Sequence, residues 1–211
     1  MKILSFDTLA STQNYLLEQL RDKSHPLPLA VWAKRQTAGI GSRDNRWEDG
    51  EGNLFFSFAL PSSLLPEDLP LASASIYFAF LMKEILEDYS SDIWLKWPND
   101  LYKGYQKIGG VITKKVGDVI VCGMGVNLKK NANGYDALEL DIDREFLLKS
   151  YFEVLEESPS WKQVFSKYAI EFERRKSVSA HIQGEYKSLR DATLREDGSL
   201  IIDNKRVYSL R

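Results

Sequence analysis

Two neighbouring apolar segments constrain the fold of this chain more than any other feature. Lys107–Thr113 and Asp118–Val126 each have the pattern of a strand, and a short turn at Val116 and Gly117 joins them. Their apolar residues are too continuous for a strand that has one face in water. We therefore predict a buried hairpin inside a sheet that other elements cover.

Further strand and helix patterns surround this hairpin. Ser11 and Thr12 can cap a helix, because a side-chain oxygen at this position satisfies free backbone N–H groups. The other predicted strands are Met1–Phe6, Leu29–Gln36, Leu54–Leu60 and Ile93–Pro98, and the other predicted helices are Leu69–Tyr89, Asp143–Glu157 and Pro159–Arg175. This pattern predicts an α/β (α+β) fold in which a mixed β-sheet carries flanking helices.

The last part of the chain differs from the rest. Helical patterns stop near Arg174–Lys176, and short strand patterns follow with turns at Asp197-Gly198 and Asp203-Asn204. Such a segment is too small to be stable unsupported. We predict a main domain over residues 1–175 and a small β-barrel or sheet over residues 176–211 that docks on it.

Composition excludes several classes of protein. The 28 Lys and Arg residues against 30 Asp and Glu give a net charge of -2, so no overall field attracts DNA. One cysteine, Cys122, excludes an internal disulfide, and together with two histidines it cannot supply a structural zinc site. Asp7 interrupts the start of the sequence before any apolar run long enough for a signal peptide, and the apolar stretch Leu71–Met82 is too short to span a membrane. We expect a cytoplasmic protein with no membrane partner.

A glycine-rich segment, Gln36–Trp47, combines features that suit a nucleotide. Its glycines expose backbone N–H groups, Arg43 and Arg46 can neutralise phosphate, and the Trp47 indole can stack on adenine. A solvated surface loop has the same composition and stays open as an alternative. The segment lacks the third glycine of a dinucleotide fingerprint, and the chain has no P-loop sequence.

The segment Lys96–Asp100 places a lysine among aromatic residues. A buried ammonium group needs either a carboxylate partner or a bound anion such as phosphate. Asp100 is the kind of oxygen ligand that Mg²⁺ uses when phosphates complete its shell, and Asn99 could orient a phosphate. An ion pair at Lys96 and an empty Asn-Asp turn are the structural alternatives.

Glycines recur in the two hairpin strands. Gly109 and Gly110 follow Lys107, and Gly125 precedes Asn127 at the end of the second strand. Glycine weakens a strand unless a ligand or another backbone must approach closely, and the residues alone leave both explanations open. Cys122 is expected in the core, and no serine or cysteine is paired with a histidine for nucleophilic catalysis.

Taken in order, five motifs resemble the catalytic domain of the biotin protein ligases. They are STQN, QTAG-x-G-x-R-x-x-R-W, KWPND, K-I-x-G-V-I and G-x-G-V-N, and they span Ser11 to Asn127. The C-terminal pattern is similar to the small SH3-like barrel of that family. The resemblance is to a short form without an N-terminal DNA-binding domain, since no helix-turn-helix fits before Ser11, and it implies no role in DNA regulation.

The resemblance implies a two-step ligation with ATP and biotin as substrates and Mg²⁺ as the metal. Biotin's carboxylate attacks the α-phosphorus of ATP, which gives biotinyl-5′-AMP, and a lysine of a biotin carboxyl carrier protein then takes the acyl group. The carrier would belong to acetyl-CoA carboxylase or another biotin-dependent carboxylase. A homodimer is compatible with the family, although no segment of the sequence specifies an interface.

The resemblance also assigns roles to individual residues. Lys107, Arg43 and Arg46 would be catalytic, with Lys107 holding the reacting carboxylate against the phosphate. Biotin would contact Ser11, Thr12, Gln13, Gln36, Ile40, Gly41, Ser42, Lys107 and Gly110. ATP or the adenylate would contact Arg43, Arg46, Trp47, Lys96, Asn99, Gly125 and Asn127, and Asp100 would bind the metal.

The glycine-rich loop departs from the family pattern G-R-G-R-x-G-R-x-W. Ile40, Ser42, Asp44 and Asn45 replace three arginines and the middle glycine, and Arg43 and Arg46 lie out of register. Each lost charge-assisted hydrogen bond costs about 1.5–3 kcal/mol, so we expect weaker retention of the adenylate than in arginine-complete relatives. Lys114, where a glutamate often follows the K-x-x-G motif, has no physical explanation.

Two other functions stay open at this stage. A lipoate or octanoate ligase or transferase of the related fold uses a similar lysine. A straight acyl chain binds best in an apolar slot, however, whereas Ser11–Gln13 are polar. A non-catalytic nucleotide-binding module would bind ATP and transfer nothing.

Overall fold

A computed structural model describes residues 1–41, 46–47, 51–130 and 136–209. Four helices lie in these ranges: α1 (Thr12–Asp22), α2 (Ala74–Glu87), α3 (Arg144–Glu157) and α4 (Trp161–Arg175). The strands are β1 (Lys2–Leu9), β2 (Leu29–Gln36), β3 (Gly39–Ile40), β4 (Arg46–Trp47), β5 (Leu54–Pro61), β6 (Ile93–Lys96), β7 (Asp100–Lys103), β8 (Gln106–Val116), β9 (Val119–Val126), β10 (Ser179–Ile182), β11 (Glu185–Ser188), β12 (Thr193–Leu194), β13 (Leu200–Ile202) and β14 (Lys205–Val207).

A seven-stranded mixed sheet organises the molecule, with strand order β1-β2-β5-β9-β8-β7-β6. Only the β1–β2 pair is parallel, and each of the other neighbouring pairs is antiparallel. The predicted hairpin is β8–β9, and it lies inside the sheet with strands on both sides. Its base is buried on both faces, as predicted, but its far end from Lys114 to Asp118 projects into solvent.

The helices cover the two faces of the sheet unequally. The larger core packs α2, α3 and α4 against one face, and a smaller cluster around Leu16 of α1 covers the other. Helix α2 is buried along most of its length because the sheet, α3 and α4 enclose it. A short 3-10 turn at Leu71–Ser73 precedes it, so the predicted helix from Leu69 to Tyr89 is divided into two pieces. The mixed α/β fold with flanking helices is confirmed.

Helix α1 begins where the sequence predicts. Ser11 is the N-cap, and its side chain accepts a hydrogen bond from the Asn14 N–H at 3.3 Å. This start places Thr12 and Gln13 in a buried first turn, where Thr12 contacts Ser57 of β5 and Gln13 lies over Gly123 of β9. The capping residue therefore fixes the position of two predicted site residues.

The C-terminal segment forms two small antiparallel sheets, β10–β11 and β12–β13–β14. Among the described residues these sheets do not pair with each other, so the expected barrel takes an open form here. Helix α4 ends at Arg175, at the predicted boundary, while apolar side chains from both sides of it belong to one core. The division into two domains stays a prediction.

A turn of the C-terminal segment is fixed by three side-chain donors from the main body. The Trp161 indole donates to the Glu196 carbonyl at 2.7 Å and the Trp97 indole to the Gly198 carbonyl at 3.0 Å. Between them, the Ser73 hydroxyl donates to the Asp197 carbonyl at 2.5 Å. Three consecutive carbonyls thus find partners on α4, on the segment after β6 and at the start of α2.

No helix in the described ranges is both long enough and apolar enough to cross a bilayer.

Candidate active site

A buried polar network lies where α1, β2 and β5 meet. The backbone N–H of Thr12 and its hydroxyl both point to Gln36 Oε1, at 2.7 and 3.0 Å. The Thr12 hydroxyl also lies 2.9 Å from the Ser57 hydroxyl. All three side chains are buried. Such a network holds donors and acceptors in fixed directions inside an otherwise apolar core.

Gln13 lies next to this network with one atom unsatisfied. Its side-chain Oε1 is buried and has no hydrogen-bond partner among the described residues. The atom lies directly over Gly123, where an added Cβ would come within 2.7 Å of it. A buried acceptor without a donor is costly, so this position favours a ligand that carries an N–H or O–H group.

Lys107 and Asp100 form an ion pair, with Nζ 2.7 Å from Oδ1. They come from neighbouring strands, because β7 pairs with β8 and Asp100 lies opposite Gly110. A register shift between Leu101 and Tyr102 brings Lys107 opposite Tyr102. The side chains are 43% and 25% exposed, so the pair remains accessible to a ligand from solvent.

Within the part of the chain that the structure describes, Lys96 does not form the ion pair that the sequence allows as an alternative to a bound anion. Among the described residues no carboxylate lies within ion-pair distance of its ammonium, which instead donates to the Tyr102 hydroxyl at 3.3 Å. Burial lowers the pKa of Lys96, Asp100 opposes that shift, and the positive charge of Lys107 adds to it. Among the described residues, two ammonium groups and one carboxylate therefore give this corner a net positive charge.

The two predicted asparagines are engaged with backbone groups. The Asn99 side-chain amide donates to the Val111 carbonyl. The Val111 backbone N–H in turn donates to the Asn99 carbonyl at 2.9 Å. The Asn127 amide donates to the Asp136 carbonyl at 3.0 Å. Both side chains fix the loops that border the ion pair and the glycines, and their contacts with a nucleotide stay a prediction.

Trp47 lies across the glycines of β8 and β9. An added Cβ would come within 2.5 Å of the indole Cε2 at Gly125 and within 3.5 Å of its Cζ3 at Gly110. At Gly109 a Cβ would instead meet the Gly125 carbonyl at 2.8 Å, so tight strand packing accounts for that glycine. A ligand lying on Gly110 and Gly125 would have to displace the indole.

These groups line one path along β9. Gly110 pairs with Gly125, and two positions further along Ile112 pairs with Gly123, under Gln13. Two residues of a strand span about 7 Å. The path therefore runs from the positive corner, over glycine backbone, to the polar network at the start of α1.

The structure brings most of the predicted site residues together along this path. Ile40 and Gly41 lie beside it, on and just after the short strand β3 that holds Trp47 through β4. Ser42, Arg43 and the Arg46 side chain lie outside the described residues, so their predicted roles stay predictions.

Sequence reasoning missed two residues of the site. Ser57 has no motif around it, and only its isolation as a hydroxyl within the apolar run of β5 could have indicated a role. Tyr102 belongs to β7, a short strand that was not predicted, so its approach to Lys96 could not be foreseen.

A family model for the biotin/lipoate A/B protein ligase family matches residues 5–131, which is more than half of the chain. Among curated proteins, the bifunctional ligase/repressor BirA of Escherichia coli is 35% identical over 128 residues, covering 56% of this chain and 38% of that protein. BirA of Bacillus subtilis is 28% identical over 143 residues, covering 63% and 42%. The matched regions thus span well under half of these relatives.

Solved structures match over the whole chain. A biotin acetyl coenzyme A carboxylase synthetase from Helicobacter pylori, with biotinylated ATP bound, is 43% identical with a TM-score of 0.92, covering 98% of this chain and 99% of that one. A biotin protein ligase from Aquifex aeolicus, in complex with biotin and ATP, has a TM-score of 0.78 at 23% identity and shows the shared fold alone. With the motifs in place along one glycine-lined path, this chain belongs to the biotin/lipoate A/B protein ligase family.

Proposed function

We propose that this chain is a biotin protein ligase, which activates biotin with ATP as biotinyl-5′-AMP and transfers the biotinyl group to a lysine of a biotin carboxyl carrier protein. The observation that carries the proposal is the glycine-lined path with a positive corner at one end and an unsatisfied buried acceptor at the other. Biotin has the matching layout, with a carboxylate at one end of a chain and a cyclic urea at the other.

The polar end suits the urea ring. A cyclic urea offers two N–H donors and one carbonyl acceptor. Within the described ranges Gln13 Oε1 has no donor, and the Thr12 and Ser57 hydroxyls beside it can each donate or accept a hydrogen bond. Ser11 contributes its hydroxyl to the N-cap, so its role toward biotin would be shared with that of holding α1. Gln36 would act by fixing Thr12.

The positive corner suits the reacting anions. Lys107 would hold biotin's carboxylate close to the α-phosphate, and Lys96 would face the phosphates, so that two mutually repelling anions come together. In the first step a carboxylate oxygen bonds to the α-phosphorus, and the bond from that phosphorus to pyrophosphate breaks. In the second, a neutral lysine amine of the carrier attacks the acyl carbon, AMP leaves with the bonding electron pair, and the amine loses a proton.

Mg²⁺ would be shared with the nucleotide. No group of three or more His, Cys, Asp or Glu side chains that could hold a metal occurs in the described ranges. Mg²⁺ is commonly held by one or two carboxylates together with substrate phosphates, so Asp100 fits this role. When bound, the ion would neutralise phosphate charge, while Asp100 also orients Lys107.

Incubation with biotin, ATP, Mg²⁺ and a biotin carboxyl carrier domain tests the proposal directly. We expect pyrophosphate release that depends on biotin, followed by a mass increase on one carrier lysine. Omission of the carrier should stop the reaction at biotinyl-5′-AMP, with no acyl transfer. Pyrophosphate release that does not depend on biotin, or no acyl transfer, would contradict the proposal.

A calorimetric titration separates biotin from a lipoyl or octanoyl substrate. The unsatisfied Gln13 acceptor and the hydroxyls beside it favour a ureido ring over an aliphatic chain, because a buried polar group without a partner penalises the wrong ligand. We expect biotin to bind and lipoate and octanoate to bind at least about a hundredfold more weakly. Binding of ATP without any acyl transfer would instead identify a nucleotide-binding module.

Acetyl-CoA carboxylase or another biotin-dependent carboxylase would provide the carrier domain, in the cytoplasm. A homodimer through a sheet edge is part of the same proposal, with β1 and β6 as the two edge strands. Light scattering during gel filtration, with and without biotin and ATP, measures the molar mass of the protein and so distinguishes a monomer from a dimer.

A further inference from the structure

Lys96 lies against one face of Tyr102. Its Nζ is 5.1 Å from the ring centroid and 3.3 Å from the Tyr102 hydroxyl, which accepts a hydrogen bond from it. In the β6–β7 ladder Tyr102 lies opposite Trp94, two positions before Lys96, so it meets Lys96 diagonally on the same face. The contact therefore follows from strand register rather than from a chance rotamer.

The Tyr102 ring is itself supported. Its centroid is 5.1 Å from that of Trp94, with the ring planes tilted by 36°. The Trp94 indole donates to the Gly104 carbonyl at 2.7 Å, which fixes the turn that follows β7. Tyr102 thus offers a surface that is already ordered, so an ammonium group that rests on it loses little additional freedom.

The contact orients Lys96 without neutralising it. The carboxylate nearest in sequence, Asp100, is bonded to Lys107 at 2.7 Å, and Lys96 makes no ion pair with any described carboxylate. Burial raises the pKa of Tyr102 to about 12, so its hydroxyl stays neutral around pH 7. A neutral acceptor and an aromatic face hold an ammonium in place, whereas a carboxylate would also cancel its charge.

We propose that Tyr102 is a positioning residue for Lys96, which it aims at the phosphates of the bound nucleotide. This inference rests on the proposed function, in which Lys96 faces ATP. It adds a residue that acts through Lys96 and touches no reacting atom, and it explains how a half-buried lysine can be held in place without a carboxylate that would cancel its charge.

Kinetics with two Tyr102 variants test the role. Tyr102→Phe removes the hydroxyl and keeps the ring, and we expect the KM for ATP in biotin-dependent pyrophosphate release to rise about fivefold, with the Kd for biotin unchanged. Tyr102→Leu also removes the ring and should raise it about tenfold or more. Tyr105→Phe is the matched control, because Tyr105 lies on the adjoining turn and is 94% exposed.

A double-mutant cycle distinguishes positioning from general support of the fold. If Tyr102 acts through Lys96, adding Tyr102→Phe to Lys96→Met should change the KM for ATP by less than about 1.5-fold. A further fivefold rise in that background would overturn the proposal. An unchanged KM for ATP in Tyr102→Phe with Lys96 intact would overturn it too.

An NMR measurement separates failure of this inference from failure of the proposed function. In protein labelled with ¹³C at the lysine ε-carbon, the Lys96 ε-protons should be shifted upfield by the Tyr102 ring, with the signal assigned by its loss in Lys96→Met. We expect the shift to persist in Tyr102→Phe and to vanish in Tyr102→Leu. An identical Lys96 signal in wild type, Tyr102→Phe and Tyr102→Leu overturns the Tyr102 contact. If the NMR shifts are as expected but no biotin-dependent pyrophosphate release occurs, the proposed function is overturned and, with it, the role of Tyr102 in that reaction.

Discussion

The Lys107 ammonium and the Asp100 carboxylate face each other at 2.7 Å across β8 and β7, beside the glycines on which a flat ligand could lie. Sequence reasoning considered an ion pair at Lys96 and a metal at Asp100. The structure pairs Asp100 with Lys107 and leaves Lys96 on Tyr102. The carboxylate therefore orients the lysine that we propose to be catalytic, and among the described residues no carboxylate forms an ion pair with Lys96.

Replacing Lys107 by methionine should slow biotin-dependent pyrophosphate release by at least about a hundredfold, because a neutral side chain cannot bring biotin's carboxylate and the α-phosphate together. Stopped assays of radiolabelled pyrophosphate measure the rate. Lys115→Met is the matched control, since Lys115 lies on the exposed end of the same strand. A Lys107→Met protein that activates biotin at the wild-type rate would remove the basis of the proposed mechanism.

Two alanine substitutions in the hairpin should have different effects. At Gly123 the new Cβ meets the end of the Gln13 side chain at 2.7 Å, which can move, so we expect biotin affinity to fall about tenfold while the protein stays folded. At Gly109 the Cβ meets the Gly125 carbonyl at 2.8 Å, and backbone cannot yield cheaply, so the free energy of unfolding should fall by about 1–3 kcal/mol. Calorimetry and urea unfolding measure the two quantities. Equal biotin affinity in Gly123→Ala and wild type would show that Gln13 does not line the biotin site.

Removal of a buried lysine outside the site should destabilise the protein in a pH-dependent way. Lys83 lies 2.8 Å from both Glu171 and Glu87, and the Glu171 carboxylate also accepts the Leu95 N–H at 2.7 Å. Burial raises the pKa of Glu171, and loss of Lys83 should raise it further. We expect Lys83→Met to lower the free energy of unfolding by about 3 kcal/mol at pH 7.

The sign of the pH effect follows from that raised pKa. Between the unfolded value near 4.5 and the higher folded value, the folded Lys83→Met protein binds more protons than the unfolded chain, so stability falls as pH rises through this window. The deficit relative to wild type should therefore shrink as pH falls towards 4.5. Urea unfolding at several pH values measures it, and a deficit of constant size from pH 7 down to pH 5 would contradict this explanation.

The glycine-rich loop provides a test that needs no mutation. From the sequence we predict that the segment Thr37–Asn53, part of which lies outside the described residues, closes over bound biotin and ATP, so tryptic cleavage at Arg43 and Arg46 should slow several-fold, while cleavage elsewhere should not. Mass spectrometry of timed digests identifies the sites. Digestion at the same rate with and without both ligands would contradict this closure.

Much of the fold could be predicted because periodicity and capping act locally. Leu29–Gln36 was predicted with its observed bounds, and the helix after Ser11 starts where the hydroxyl can cap it. β7 was missed because it has only four residues between a proline turn and a glycine turn, and its pairing with β6 and β8 is a tertiary effect. Local patterns do not reveal such pairings.

The candidate site followed a similar division. The motifs predict Thr12, Gln13, Gln36, Lys107 and Gly110 as residues of the site, because each belongs to a recognisable run of residues. They could not reveal that Ser57 completes the Thr12 network, or that Gly109 is a glycine for strand packing while Gly123 lies under a carboxamide. Those distinctions depend on which strand lies opposite which, and a single sequence carries no record of register.

The three donors that hold the carbonyls of Glu196, Asp197 and Gly198 also affect how the molecule unfolds. Loss of the terminal sheets would leave two indole N–H groups without their acceptors. It would also expose the apolar core, to which residues on both sides of Arg175 contribute. The chain should consequently melt in a single calorimetric transition, with equal van't Hoff and calorimetric enthalpies, although the sequence predicts two domains. A truncated chain that ends at Arg175 should therefore unfold at a lower temperature throughout its remaining sheet, and not only near the new C-terminus.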